Sequence, residues 1–298
     1  RMKVLVIGDV ILDQLIHYET TKWSNEFDYP IIKEVARSYY PGGAGFVAAN
    51  CVSLGAFTTL LGNFGNNHTL RFLMEDVDIE TIDCSKGYKN TTTKTRVYVD
   101  DHPTFRIDED VYQKLDSDET LHHIYKYNYD ALLLSDYQKG ALTDSKLVCS
   151  IIEEFKKKNP SSVISANPKP PLVKILPKID LLSMNRSEMA EADVIDTSWT
   201  SRADWFIRTL GSEGLDLYAY GNMKTYRTIP IEDPDVCGCG DAVFAAASLA
   251  YSNGGGFTMD ILGKIVVAAG TAKAMKKGTI PISSKDILDT LKRIENGS

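Results

Sequence analysis

Asp235 to Tyr251 reads DVCGCGDAVFAAASLAY, a glycine-rich turn that runs straight into an apolar helical pattern. Gly238 and Gly240 bracket the small Cys239, and Asp241 follows at once. Successive backbone N–H groups without bulky side chains can cradle an anion, and the helix dipole adds partial positive charge there. Asp241 falls in the first helical turn, beside any phosphate bound in such a cradle. A carboxylate at that place can take the proton of an attacking hydroxyl, so the layout suits phosphoryl transfer to an alcohol. The same letters also spell an ordinary helix start with Asp241 as N-cap. This stretch alone does not choose between the two.

Upstream, short apolar runs alternate with helical patterns. Lys3–Gly8, Thr58–Gly62, Ala131–Ser135, Ser162–Ser165 and Ile179–Ser183 predict strands. Residues 43–54 and Asp144–Phe155 predict helices, the first closed by Gly55. Thr93–Val99 alternates in strand fashion, and a second short strand at Phe105–Ile107 is expected after a turn at His102-Pro103. Strands alternating with helices predict an α/β fold on a mostly parallel sheet covered on both faces. In such sheets the site lies beyond the carboxyl ends of the strands. That rule singles out Asp9, Asp136, Asn167 and Asn185, each a polar residue directly after a strand run.

A chain of 298 residues suffices for one large α/β domain or two small ones. A net charge of −7 argues against nucleic acid or an anionic membrane as main partner. No apolar run is long enough to span a bilayer, and no signal peptide precedes VLVIG at 4–8. Five cysteines, at 51, 84, 149, 237 and 239, form no disulfide framework, which predicts a reducing cytoplasm. Cys237 and Cys239 lack a second pair or nearby His, which disfavours zinc.

Seven segments make the chain recognisable: VIGDVILDQ (6–14), YPGGAGFVAANCVSLGA (40–56), TKTRVYVDDHPTFRIDED (93–110), LLLSDYQKGALT (132–143), NRSE (185–188), TLGSEG (209–214) and DVCGCGDAVFAA (235–246). In this order they resemble the ribokinase-like (PfkB) carbohydrate kinases over nearly the full length, and within them the bacterial D-glycero-D-manno-heptose-7-phosphate kinases. The resemblance implies a three-layer α/β/α sandwich with a small β-sheet lid, as a single kinase domain over 1–298. Lid strands would come from roughly residues 15–38 and 91–108. It also implies ATP with Mg²⁺, a small sugar or sugar phosphate as acceptor, and a homodimer whose lids meet.

By that resemblance Asp241 is the catalytic base, and the amides of Gly238, Cys239 and Gly240 form the anion hole. Asn185 and Glu188 would organise Mg²⁺ through its waters, sharing one helix face at i and i+3. Taken alone, N-x-x-E is usually a helix start. Asp9 and Asp13, with Gly42 and Gly43, match positions that hold sugar hydroxyls. Lys94, Arg96 and Arg106 on the lid would meet a sugar phosphate; their plain alternative is the solvated face of an edge sheet. Asp136, Lys139 and Lys169 would be further contacts to sugar or nucleotide phosphates, and Gly211 falls on the nucleotide side.

The chain also departs from the pattern. Phe46 stands where the heptose kinases carry an Asn that contacts the sugar, Asn167 where they carry Asp, and Cys239 where the family carries Ala. Val267 falls where an adenine-side Asn would align, and the stretch from Glu188 to Thr209 is shorter than usual. Two other readings therefore stay open: a kinase of a different sugar, and a catalytically weak sugar- or nucleotide-binding regulator. A dinucleotide-dependent oxidoreductase is a third, because Gly43, Gly45 and Ala48 fit G-x-G-x-x-A, although these glycines do not follow the first strand.

Overall fold

The computed structural model describes residues 1–87, 90–192, 199–254 and 257–297. Residues 193–198, inside the stretch between Glu188 and Thr209 that reads as shorter than usual, lie outside the described residues. The first half contains β1 (Lys3–Gly8), β2 (Val10–Trp23), β3 (Pro30–Gly43), α1 (Ala44–Ser53), β4 (Phe57–Gly62), α2 (His68–Asp76), β5 (Glu80–Asp83), β6 (Thr92–Val99), β7 (His102–Glu109) and α3 (Ser117–Lys126). The second contains β8 (Ala131–Ser135), α4 (Ser145–Lys158), β9 (Val163–Asn167), α5 (Pro170–Ile175), β10 (Ile179–Asn185), α6 (Arg186–Glu191), β11 (Ala203–Thr209), β12 (Leu215–Ala219), β13 (Asn222–Tyr226), α7 (Cys239–Ser252), α8 (Met259–Ala274) and α9 (Ser284–Asn296).

Nine strands form one sheet in the order β13-β12-β11-β10-β9-β8-β1-β4-β5, parallel except at β12 and β13. The continuous apolar runs are explained by two covered faces. Val4 and Val6 of β1 pack into a layer with α1, α7 and α8, whereas Leu5 and Ile7 pack into the opposite layer with α3, α4 and α5. Truncating a residue such as Leu5 to Ala would cost about 2–5 kcal/mol through the cavity it leaves.

The remaining four strands form a second sheet, ordered β3-β2-β6-β7. β2 and β3 are a long antiparallel hairpin, β6 joins β2 in parallel, and β7 is the exposed edge. The first pair, at 10–43, runs wider than the expected 15–38, and the second, at 92–109, stands one residue beyond the expected 91–108. The β6–β7 turn is at Asp100 and Asp101, both with positive φ, so His102 and Pro103 belong to β7 rather than to the turn. Proline is tolerated there because an edge strand needs fewer ladder donors. Directly paired residues share a face. Asp13, Lys94 and Asp108 therefore stand side by side on the lid, with Arg96 and Arg106 beside them.

Candidate active site

α7 begins with Gly238 as N-cap in the left-handed region (φ 75°), and no side chain caps the helix. A Cβ at this position would overlap the buried Phe46 ring, so both backbone and space demand glycine. Asp241 is therefore not the N-cap; it stands three residues inside. The Cys239 amide is taken by the Val236 carbonyl at 3.3 Å, while the Gly240 and Asp241 amides find no backbone acceptor among the described residues. Free amides at a helix start are what an anion hole requires.

The Asp241 side chain is buried and accepts a hydrogen bond from the Tyr137 hydroxyl. Burial pushes its carboxyl up to about 7; Tyr137 and Lys169 pull it down, while Asp13 and Glu188 push it further up. A carboxyl poised there can exchange a proton near neutral pH.

Around it, the carboxyl ends of the strands converge. Asp9, after β1, accepts from the amides of Tyr137 (2.7 Å), Lys139 (3.1 Å) and Ala141 (2.9 Å). Three of its acceptor positions are thus spent on holding the 137–141 loop, and burial raises its pKa. Asp136 accepts from the amides of Gln138 (2.9 Å) and Lys169 (3.0 Å), and burial lifts its carboxyl to about 6. Both acids brace the loops that present Tyr137 and Lys169. Asn167 donates to the Ser183 carbonyl at 2.8 Å, which ties β9 to β10.

NRSE is a capping box: Asn185 is the N-cap of α6 and accepts from the Glu188 amide, while Glu188 accepts from the Asn185 amide. The expected shared helix face does not form, because Asn185 lies outside the helix. The second Glu188 oxygen pairs with the Lys169 ammonium, which also lies 5.5 Å over the Tyr137 ring. Lys169, Glu188, Tyr137 and Asp241 form one connected polar cluster.

The lid reaches this cluster through Arg96. Its guanidinium donates to Asp13 Oδ1 at 2.9 Å and to Cys237 Sγ at 3.2 Å, just ahead of the α7 turn. Gly42 makes room for this arrangement, since a Cβ there would come 2.5 Å from Asp13 Oδ2. Gly43 is the N-cap of α1. Lys94 is half-buried and has no ion-pair or hydrogen-bond partner among the described residues. Arg106 is exposed and chelated by Asp108 at 2.8 and 3.0 Å. Lys139 pairs with Asp110 at 2.7 Å.

On the other side of α7 opens a cavity of about 350 Å³. Asn185, Gly211, Cys239 and Gly240 stand at its polar rim, and Val236 and Val267 are among its apolar walls. A cavity with apolar walls that is also lined by the helix-start residues Cys239 and Gly240 suits a nucleotide.

The family pattern described as pfkB family carbohydrate kinase matches residues 1–286. The chain belongs to the pfkB family. It is thus a phosphotransferase with an alcohol acceptor. The bifunctional protein HldE of Koribacter versatilis is 29% identical over 319 residues, covering 97% of this chain and 63% of that protein. HldE of Bradyrhizobium diazoefficiens is 28% identical, covering 95% of this chain and 62% of that one. This pfkB kinase therefore spans less than two-thirds of the length of these curated relatives. Its fold is similar to Escherichia coli phosphofructokinase-2 in complex with potassium, with a TM-score of 0.77, 18% identity and 99% of each chain covered. It is also similar to Arabidopsis thaliana ribokinase complexed with ribose and ATP, with a TM-score of 0.70, 17% identity and 98% and 99% covered. The α/β sandwich with its small lid is the ribokinase-like fold.

Two residues of the pfkB site escape a reading of the sequence. Tyr137 sits inside SDYQKG, yet nothing there says that its hydroxyl meets an acid 104 positions away. Cys237 reads only as half of a C-x-C pair, whereas its sulfur accepts a hydrogen bond from Arg96 of the lid just ahead of the helix start.

Proposed function

We propose that this kinase transfers the γ-phosphoryl group of ATP to the anomeric hydroxyl of D-glycero-D-manno-heptose 7-phosphate, with Asp241 as general base. The observation that carries this reading is the position of Asp241: a buried carboxyl at about 7, beside free helix-start amides, between an apolar cavity and a cationic lid face. The heptose acceptor is supported by the HldE relatives and by Lys94, Arg96 and Arg106 sharing one lid face.

In this account Asp241 accepts the proton of the attacking hydroxyl, and Tyr137 holds Oδ1 so that Oδ2 is left for the sugar. The Gly240 and Asp241 amides receive the negative oxygens of the transferring group, with the Gly238 turn holding them in place. Cys239 contributes small size rather than thiol chemistry, since burial pushes its thiol up to about 11. Asp13 and the Gly42–Gly43 backbone hold sugar hydroxyls, and the lid cations hold the 7-phosphate. Asp9 and Asp136 act through the loops they brace. The cavity takes the nucleotide, with Gly211, Asn185 and Lys169 along its phosphate path.

Asn185 and Glu188 would hold Mg²⁺ carried by nucleotide phosphates through its waters: their oxygens are hard donors, and they already accept bonds within the capping box and from Lys169. When bound, the ion supplies charge neutralisation on the phosphate oxygens. Single-domain organisation over 1–298 and a cytoplasmic setting belong to the same proposal; among the described residues no helix is long and apolar enough to cross a membrane. So does a homodimer through the lid, where Trp23, Phe27, Val35 and Phe105 are exposed.

A second reading, a kinase of another sugar, is favoured by Phe46. It is fully buried against Gly238 and offers the acceptor no hydrogen bond. Asp241→Asn tests the shared mechanism: kcat should fall by roughly 10²–10⁴-fold while ATP binding by calorimetry is kept. A variant with near wild-type kcat would remove Asp241 from the role of base.

A further inference from the structure

Lys273 stands in the last turn of α8 and is wholly buried, with 0% of its surface exposed. An ammonium taken out of water is costly unless other charges or carbonyls replace the solvent. Among the described residues no carboxylate pairs with it. Its ammonium donates to the Lys276 carbonyl at 3.1 Å, in the turn after the helix. The neighbouring Lys276 and Lys277, by contrast, pair with Asp286 and Asp233.

The place it occupies is the seam between the turn that starts α7 and the turn that ends α8. Asp235 closes that seam: its amide donates to the Ala274 carbonyl at 2.9 Å, and its carboxylate accepts from the Cys237 amide (2.9 Å) and the Gly278 amide (2.6 Å). Ala274 lines the nucleotide cavity together with Gly270, Cys239 and Gly240. The Lys273 charge is felt by the thiols of Cys237 and Cys239, where it opposes the upward push of burial.

We propose that Lys273 is a built-in monovalent cation behind the anion hole, a positioning residue that offsets nucleotide phosphate charge without touching the phosphates. This rests on the kinase reading above. A tethered ammonium makes a soluble ion of the same charge unnecessary, so the wild type should be indifferent to potassium. The plainer role, a lysine on the carbonyls that end a helix, does not require a wholly buried charge beside the phosphate site.

The test is ATP binding by calorimetry for the wild type and Lys273→Met, with chloride salts of potassium, ammonium or tetramethylammonium at equal ionic strength. Wild-type affinity should be the same in all three. Lys273→Met should lose affinity about tenfold in tetramethylammonium and regain it in potassium or ammonium, which fit the vacated space. A wild type that needs potassium overturns the proposal, and this arm decides even where Lys273→Met fails to fold. A folded Lys273→Met with unchanged affinity, or with weak binding that neither small cation restores, overturns it as well. Binding without turnover on any sugar would count against the kinase reading and leave the cation comparison intact.

Discussion

The floor of the cleft and its lid are built by opposite means. On the floor, Asp9, Asp136 and Glu188 are buried or half-buried and accept backbone amides at or just beyond the carboxyl ends of parallel strands. Their geometry is inherited from the nine-stranded sheet. On the lid, Lys94 has no partner among the described residues, Arg106 is exposed, and Arg96 supplies side-chain contacts to Asp13 and Cys237. A fixed floor suits the invariant half of the reaction, the phosphoryl donor. A lid whose arginines are held by side chains alone suits the half that distinguishes one acceptor from another.

If that division is right, lid substitutions should weaken the acceptor and leave the nucleotide alone. Arg96→Ala should raise the acceptor KM roughly ten- to hundredfold, the loss of charge-assisted hydrogen bonds worth about 1.5–3 kcal/mol. Arg106→Ala should change it by no more than a few-fold, because Arg106 is exposed and already paired with Asp108, so its attraction for the acceptor phosphate is screened by solvent and shared. A loss of ATP affinity as large as the loss of acceptor affinity in Arg96→Ala would break the division.

On the floor, Tyr137→Phe removes a hydrogen bond that lowers the Asp241 pKa. The acidic limb of the kcat–pH profile should then move up, from near 7, by about one unit. A profile that stays in place would mean that Tyr137 does not set the proton affinity of the base.

The smallest effect concerns stability. The Asp241 carboxyl is raised from 3.8 to about 7, so the folded state binds its proton more tightly than the unfolded chain does. Its contribution to stability is full below 3.8 and is lost as pH rises through about 7. Asp241→Asn escapes that loss and should melt a few degrees above the wild type at pH 8, with the gap narrowing toward pH 5. A gap that does not depend on pH would point to packing instead.

What the sequence revealed follows the same division. β1, β4, β8 and α1 were legible because burial on both sides writes itself as continuous apolar runs. The outer half of β2, YETTKW, was not: it lies mostly exposed on the lid, and without a buried face there is no alternation to read. Asp241 could be located from its segment, but its N-cap reading failed because the helix begins earlier, at a left-handed Gly238 whose lack of a Cβ is required by the distant Phe46 ring. The bonds of Asp9 to the 137–141 loop and of Arg96 to Cys237 join residues more than 120 positions apart, which local pattern cannot encode. Lys273 reads as an ordinary helix-end lysine until its burial is seen.

The most direct test of the account is ADP release from ATP and Mg²⁺ with D-glycero-D-manno-heptose 7-phosphate, beside the unphosphorylated heptose, fructose 6-phosphate, ribose and buffer. The account predicts turnover with the heptose phosphate, with kcat/KM highest in the panel and lowered sharply when the phosphate is missing. Preference for another sugar would transfer the acceptor assignment to the Phe46 reading. No turnover on any sugar, by folded protein that binds ATP, would contradict the kinase account itself.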